Sequence, residues 1–291
     1  MKMIVTGASG QLGRLVAEEL LERVSAEDLV LTTRHPDALA HLSDRGVTVR
    51  FADFDDPGSL PAAFAGGERM LLISTLAIGR RAEQHRAAIE AAARAGVGHV
   101  AYTSFPRPEP HHPVGAIATE HGATEQILQG SGLAWTSLRF ATFAELQVPP
   151  GSLAVAGGKL YTNAGQGRLA SISRRDCARA AAAVLTGTGH DGRTYDVTGA
   201  EALTPRELAD LLAEVSGRPV KLVAVGDRAL GWGLARAGAP KPVARSIVAF
   251  GKAVREGYYE VVDPAFTQLT GLTPRSLREV LVAHRGDLVA G

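Results

Sequence analysis

The chain of 291 residues contains a single cysteine, Cys177. No internal disulfide can form, and no cysteine-based zinc cluster can either. Long hydrophobic runs are also missing. No apolar stretch approaches the roughly 18 to 20 residues of a membrane span, and the nearest, Ala180 to Leu185, is a short alanine run. Excess charge is absent too. The 31 basic and 30 acidic residues leave a formal net charge of +1, which offers no footprint for nucleic acid or an anionic membrane. Hydrophobic residues at 45% and charged residues at 21% are ordinary globular proportions and argue against a disordered chain. The strand-like run Met3-Ile4-Val5 is read as leaving no room for a signal peptide, so a cytoplasmic protein is expected.

What is present is an alternation of short β-branched runs with longer helical patterns, the signature of a parallel sheet with crossover helices. The expected strands are Met3–Thr6, Asp28–Thr33, Val47–Ala52, Arg69–Ser74, His99–Ser104 and Leu133–Phe140. Between the first two, Leu12, Leu15, Val16 and Leu20 recur at helical spacing. Gln84 to Ala95 reads as an alanine-rich helix ended by Gly96. The pattern predicts an α/β Rossmann fold, a doubly wound parallel sheet with right-handed crossovers, over residues 1–146. Residues 147–291 are expected to form a smaller α/β substrate domain, with parts such as 168–200 returning to the main sheet. Glycines and prolines between Val148 and Gly167 suggest a segment leaving the sheet. Asp176 is expected to cap an alanine-rich helix, Thr204-Pro205-Arg206-Glu207 forms a capping box, and Thr273-Pro274 is expected to open the last helix.

Thr6-Gly7-Ala8-Ser9-Gly10-Gln11-Leu12-Gly13 lies between the first strand and the first helix. Glycines there tighten the turn and let the backbone approach a pyrophosphate, whose charge the exposed N–H groups of the helix start can bind. With a strand before it, a helix after it and a second strand at the βαβ distance, the loop meets the context test for dinucleotide binding. The second strand ends Thr32-Thr33-Arg34, about 20 residues past the glycines, with no acidic residue to grip a ribose 2′-hydroxyl. Arg34 presents a cationic fork suited to a 2′-phosphate, which favours NADP(H) over NAD(H). Asp53, beside Phe54 at the end of the third strand, either accepts from an adenine amino group or caps a turn.

Several ordered stretches carry a family resemblance: GASGQLG, TRHPDAL, LLIS, QHRAAIEAAARAGV and AYTS, then EHGATEQILQGSGLAWTSLR, ISRRDCARAAA and YDVTGAEALTPRELADLLAEVSGRPV. The chain resembles the NmrA-like branch of the atypical short-chain dehydrogenase/reductases, and within it the type 2 quinone oxidoreductases. The likeness weakens only after about Val225. It implies a Rossmann cofactor domain, NADPH along the cleft and hydride transfer to quinones. By this resemblance Gly7, Ser9, Gly10, Gln11 and Gly13 cradle the pyrophosphate and Arg34 takes the adenosine phosphate. Ser74 and Thr75 line the path to the nicotinamide, and Phe140 to Phe143, with Thr142 among them, lie beside its ring. Thr6, Leu12, Phe54, Tyr102 and Thr103 are further cofactor-side candidates. The segment reads FATF, where the quinone reductases carry asparagine and tyrosine.

Typical short-chain dehydrogenases pair a serine ending the fifth strand with a Tyr-x-x-x-Lys on the next helix. Ser104 has the serine's place, but the chain has five tyrosines and no Tyr-x-x-x-Lys. Where the pair belongs stand Ile117 and, one turn on, His121. Ile117 cannot donate a proton, whereas His121 can bond the nicotinamide ribose and titrates near neutrality; the other reading is a solvent-facing helix histidine. Ser104 and His121 are the catalytic candidates. Reducing an isolated ketone requires a positioned acid or oxyanion donor, while a quinone yields a delocalised anion that solvent can protonate. The four-proline loop Phe105 to Pro113 is a candidate pocket wall through Pro106. Phe143 and Trp232 are further substrate-side candidates. Phe250, Tyr258 and Tyr259 read as core or as the floor of an aromatic pocket. Adjacent His111 and His112 lack metal-ligand spacing, so no metal is expected, and no flavin signature accompanies the loop.

The leading expectation is an NADPH-dependent oxidoreductase acting on a quinone or polycyclic aromatic quinone. Arginine outnumbers lysine 26 to 5, consistent with a GC-rich bacterial genome, so one alternative is a reductase or oxygenase-type tailoring enzyme on an aromatic polyketide quinone. Another is a non-catalytic NADP(H)-binding redox sensor. A small aromatic molecule is the expected partner, with no nucleic acid and no membrane, and a homodimer is left open.

Overall fold

The computed structural model describes residues 1–290. Seven parallel strands form the main sheet: β1 (Met3–Val5), β2 (Leu29–Thr33), β3 (Thr48–Phe51), β4 (Arg69–Leu72), β5 (His99–Ser104), β6 (Ala134–Phe140) and β7 (Arg193–Val197). Their order is β7-β6-β5-β4-β1-β2-β3. This is the Rossmann-type α/β fold expected from the pattern of strands and helices. The chain runs outward through β2 and β3, returns to β4 beside β1, and then proceeds the other way. The reversal opens a crevice between β1 and β4 at the carboxyl ends of the strands, where ligands bind in such sheets.

Both faces of the sheet are covered, so the strands are apolar on both faces rather than on one. Met3, Val5, Leu29, Leu31, Leu71 and Ala101 point to one core. The intervening Ile4, Val30, Met70, Leu72, Val100 and Tyr102 point to the other. The first core is closed by α1 (Gln11–Leu21), the second by α2 (Arg81–Arg94) and then α3 (Ala116–Gln129), which packs on it. A fourth helix, α4 (Arg174–Thr186), packs on α1. Its alanines allow close approach, and buried Glu19 of α1 pairs with Arg175 at 3.1 Å and Arg179 at 3.4 Å.

The later segments depart in detail from expectation. Val148–Gly157 is a helix, because Pro149 and Pro150 occupy its first turn, where no intrahelical N–H is needed. It leads to Lys159–Thr162, which pairs in parallel with Lys221–Ala224. The helix of Arg174–Thr186 is capped by Ser173, whose side chain accepts from the Asp176 N–H; Asp176 instead accepts from the Ser173 hydroxyl and the Arg275 N–H. The Thr204–Glu207 capping box forms as read. A second box, Ser276 with Glu279, opens the Leu277–Ala283 helix, in place of Thr273-Pro274. Apart from the Arg174–Thr186 helix, which belongs to the first core, these segments share a third core around Val148, Val155, Leu212, Val215, Leu281 and Leu288. Among the described residues no helix is long and apolar enough to cross a membrane.

Candidate active site at the carboxyl edge of the sheet

Because the seven strands are parallel, their carboxyl ends deliver the glycine loop, Arg34, Asp53, Ser74, Ser104 and Ala141 to one edge. The glycine loop has the geometry of an anion cradle. Gly7 has φ +60°, a left-handed conformation that disfavours a side chain. A Cβ on Gly13 would sit 2.5 Å from the Gly7 carbonyl oxygen and 2.7 Å from the Ala8 Cα, so only glycine lets the helix start so close to the turn. The N-cap Gly10 supplies no side-chain acceptor and the first turn of α1 holds no acidic residue. The N–H groups at the start of α1 therefore stay free for an incoming phosphate.

The loop is braced from both sides. The Ser9 and Thr33 hydroxyls lie 2.7 Å apart. Thr6 donates to the Leu71 carbonyl and accepts from the Ile73 N–H, stitching β1 to β4 at the point of reversal. Arg34 is exposed just beyond β2, and no acidic side chain occupies the equivalent ribose position. Asp53 accepts from the Asp55 N–H at 3.0 Å, the turn-capping role. Phe54 lies edge-on to His85, ring centres 6.4 Å apart. These residues suit a dinucleotide: backbone donors for the pyrophosphate and a free guanidinium for an adenosine phosphate.

On the other flank, side chains hold the backbone. The Ser74 N–H donates to Thr103 Oγ1 at 2.9 Å, so Thr103 is buried and acts through Ser74. The Thr75 N–H donates to His85 Nε2 at 3.1 Å, and the Thr75 hydroxyl donates to Gln84 Oε1 at 2.7 Å. With Nε2 accepting, His85 Nδ1 carries the proton and donates to Thr124 Oγ1 (3.0 Å), which passes a bond to the Glu120 carbonyl. Burial and the Arg81 charge push the His85 pKa down to about 3, so the ring stays neutral. Arg81 itself is buried. It donates to the carbonyls of Thr75 (2.7 Å) and Ile117 (3.1 Å) and lies 3.5 Å from Glu120.

The residues at the short-chain dehydrogenase positions are occupied with each other. Ser104 donates to Glu125 Oε1 at 2.6 Å, and Arg139 holds Glu125 with two bonds of 2.9 and 2.7 Å. His121 is buried rather than solvent-facing. Its Nδ1 lies 2.7 Å from the Tyr102 hydroxyl. A buried phenol needs an acceptor, so Nδ1 accepts and Nε2 bears the hydrogen. Burial, with Arg81 and His85 nearby, holds the His121 pKa well below the usual imidazole value, so it does not titrate near neutrality. Tyr102 is fully buried with its pKa raised by burial, which gives it a packing and anchoring role.

Toward β6 and β7, a narrow cleft of about 30 Å³ is lined by Pro106, Arg139, Ala141, Asp196, Thr198, Tyr258 and Tyr259 among others. Phe140 is buried in the sheet core. Thr142 and Phe143 pair with Ser171 and Ile172, and the Arg174 guanidinium lies 4.9 Å from the Phe143 ring centre. Trp232 is not brought to this cleft: its side chain is 67% exposed on the helix Asp227–Arg236, beneath Arg236. Tyr258, Tyr259 and Phe250 pack around Phe105, and the two tyrosines also line the cleft. Arg81, His85, Glu125 and Arg139 were not singled out from the sequence. The i, i+4 spacing of Arg81 and His85 on one helix face was the available signal.

The NAD(P)H-binding family profile matches residues 7–188. Quinone oxidoreductase 2 of Escherichia coli is 41% identical over 216 residues, 74% of this chain and 75% of that protein. Its NADPH complex superposes with a TM-score of 0.92 at 35% identity, covering 97% of this chain and 99% of that one. A (4-alkanoyl-5-oxo-2,5-dihydrofuran-3-yl)methyl phosphate reductase of Streptomyces griseus is 33% identical over 97% of each chain. An NmrA-like family domain-containing oxidoreductase of Aspergillus flavus is 29% identical, covering 98% of this chain and 96% of that protein. With the glycine cradle and the crevice at the sheet reversal in place, the chain belongs to the NAD(P)H-binding family, in its NmrA-like group near quinone oxidoreductase 2, and is an NAD(P)H-dependent oxidoreductase.

Proposed function

We propose that this enzyme uses NADPH in preference to NADH to reduce a quinone or a polycyclic aromatic quinone. The observation that carries the reading is the state of Ser104. Its hydroxyl is spent on Glu125, which Arg139 holds in turn, and the neighbouring helix offers Ile117 where an acid would stand. A substrate whose reduction builds a localised, strongly basic alkoxide would find no group at these positions to give it a proton. A quinone spreads the new charge over its ring and oxygens and takes its proton from water.

When bound, NADPH supplies the hydride, and one solvent proton completes the change NADPH + quinone + H⁺ → NADP⁺ + hydroquinone. The chain's own groups set the geometry. The N–H groups at the start of α1 and Ser9 hold the pyrophosphate, and Arg34 holds the adenosine 2′-phosphate, which supports the NADP preference. Ser74, Thr75 and the backbone from Ala141 to Phe143 are assigned to the nicotinamide side, with Pro106 and Phe143 at the acceptor. Neutral His121 is assigned the ribose contact through its Nε2–H. The name and NADPH complex of the Escherichia coli relative support both cofactor and acceptor class.

The test mixes the purified protein with NADPH and a panel of benzo-, naphtho- and anthraquinones, with absorbance followed at 340 nm with and without oxygen. Stoichiometric NADPH loss and hydroquinone formation under anaerobic conditions is the expected result. Tight NADPH binding with no consumption for any quinone would overturn the reading.

A further inference from the structure

We propose that Tyr259 supplies the oxyanion donor of this site: its hydroxyl, reached from the cleft beside Pro106 and Ala141, hydrogen-bonds the acceptor oxygen of the bound quinone. This inference rests on the quinone reading above and adds a residue that the short-chain dehydrogenase pattern does not contain.

Position comes first. Pro106 follows β5, Ala141 follows β6 and Thr198 follows β7, and all three line the cleft with Tyr259. The cleft therefore lies at the carboxyl edge of the sheet, the same edge that carries the glycine loop and Thr75. The ring of Phe105 bridges the two places. It stacks on His121 with centres 5.5 Å apart and meets the Tyr259 ring at 6.0 Å. His121 is one helical turn from Ile117, the position that lacks a hydroxyl, and Tyr259 lies one ring beyond His121.

The state of the hydroxyl comes second. Tyr259 is held firmly: its ring packs on Phe250 at 5.0 Å and near His112 at 5.7 Å, and its carbonyl accepts from the Ala170 N–H. The tyrosine hydroxyls of Tyr102 and Tyr195 are bonded to His121 and His190. That of Tyr259 has no such partner, and burial alone raises its pKa. It is not among the sealed polar atoms that lack a partner either, a group that includes His112 Nε2 and Ser171 Oγ. It is an unspent donor on a fixed ring, not sealed from solvent, in a residue that lines the cleft.

Chemistry comes third. A phenol that stays protonated across the working pH range is not a proton source but remains available as a hydrogen-bond donor. Tyr259 keeps its proton throughout: two electrons and one hydrogen reach the quinone from NADPH, charge accumulates on the acceptor oxygen, Tyr259 stabilises it, and water supplies the second proton. The arrangement explains how a site without Tyr-x-x-x-Lys retains an electrostatic contribution.

The experiment compares wild type with Tyr259→Phe, which deletes the hydroxyl and keeps the ring. With NADP⁺-saturated protein, tryptophan fluorescence titrations use 2-hydroxy-1,4-naphthoquinone, an anion near neutrality, and uncharged 1,4-naphthoquinone. Affinity for the anion is expected to fall about 10-fold in the variant, with the uncharged quinone less affected. The kcat for 1,4-naphthoquinone is expected to fall about 10- to 100-fold, with NADPH affinity unchanged. A variant equal to wild type in both anion affinity and kcat would overturn the assignment while leaving the quinone reading intact. A wild type that neither consumes NADPH with quinones nor binds the hydroxyquinone would overturn the reading, and the assignment with it.

Discussion

On the β1–β2 flank of the crevice, the groups available to an incoming anion belong to the backbone, and the side chains around them are small or absent. Gly7 turns through φ +60° and Gly13 leaves out the Cβ that would strike the Gly7 carbonyl. On the β4–β5 flank, the backbone of Ser74 and Thr75 is itself held by side chains: Thr103, His85, Gln84 and the buried guanidinium of Arg81. One flank recognises by exposing donors, which favours small residues and free N–H groups. The other fixes a loop by bonding its backbone groups to buried side chains, which favours a desolvated network. A substitution on the first flank should therefore read out in ligand affinity, and one on the second in stability.

The largest expected effect follows from breaking the second flank. Arg81→Ala removes the partner of Glu120 and leaves the Thr75 and Ile117 carbonyls without their donor. Loss of one member of a buried charged pair costs about 3 to 5 kcal/mol, to be read as a lower urea midpoint at pH 7. A loss under 1 kcal/mol would make the flanks alike. Next comes Gly13→Ala, whose Cβ would fall 2.5 Å from a backbone oxygen. Overpacking of this kind forces backbone shifts that cost about 1 to 3 kcal/mol, and because the shift falls in the cradle itself, calorimetric titration should show weakened NADPH binding.

A smaller and sharper effect is expected from Arg34→Ala. A hydrogen bond to a charged group contributes about 1.5 to 3 kcal/mol, so NADPH binding should weaken by about 10- to 100-fold. NADH binding and the urea midpoint should stay put. Equal losses for the two cofactors would remove the 2′-phosphate assignment. The smallest effect is a slope. Burial holds His85 at about 3 and His99 at about 4 in the folded chain, below the usual imidazole value near 6.5. Between these values the unfolded chain binds more protons, so stability is complete above about pH 6.5 and declines as pH falls toward the folded values. Each histidine contributes a slope of up to about 1.4 kcal/mol per pH unit. Urea unfolding at pH 7 and pH 5 should show a shallower decline in His85→Gln than in wild type, and an unchanged slope would mean that His85 is charged in the fold.

The first flank was legible because its residues are contiguous. Thr6 to Gly13 form one strand–turn–helix unit, and the absent acid after β2 is a local fact of Thr32-Thr33-Arg34. The second flank was legible only in part. Ser74 and Thr75 could be placed beyond β4, but Arg81 and His85 looked like ordinary residues of an alanine-rich helix. His121 illustrates the gap: its place one turn from Ile117 is legible in the sequence, yet its neutrality comes from burial, with Tyr102 and Phe105 against it and Arg81 and His85 nearby. The helix caps show the same limit at smaller scale. Ser173 and Asp176 are both plausible caps by residue type, and the bond from the Arg275 N–H to Asp176, 99 residues away, is part of what separates their roles.

The alternation of strand and helix patterns and the glycine spacing were enough to indicate the doubly wound sheet and a candidate anion cradle, because continuous apolar strand runs and left-handed turns depend on a few neighbouring residues. The chemistry of the acceptor end was decided in three dimensions. Ser104 became a structural donor because Glu125, 21 residues on, accepts its proton, and Glu125 is fixed in turn by Arg139, 14 residues further. Tyr259 comes to the cleft from far along the chain, seated by Phe105 and Phe250. Desolvation acts on whatever packing brings together, so the protonation and availability of these groups follow from tertiary burial rather than from residue type.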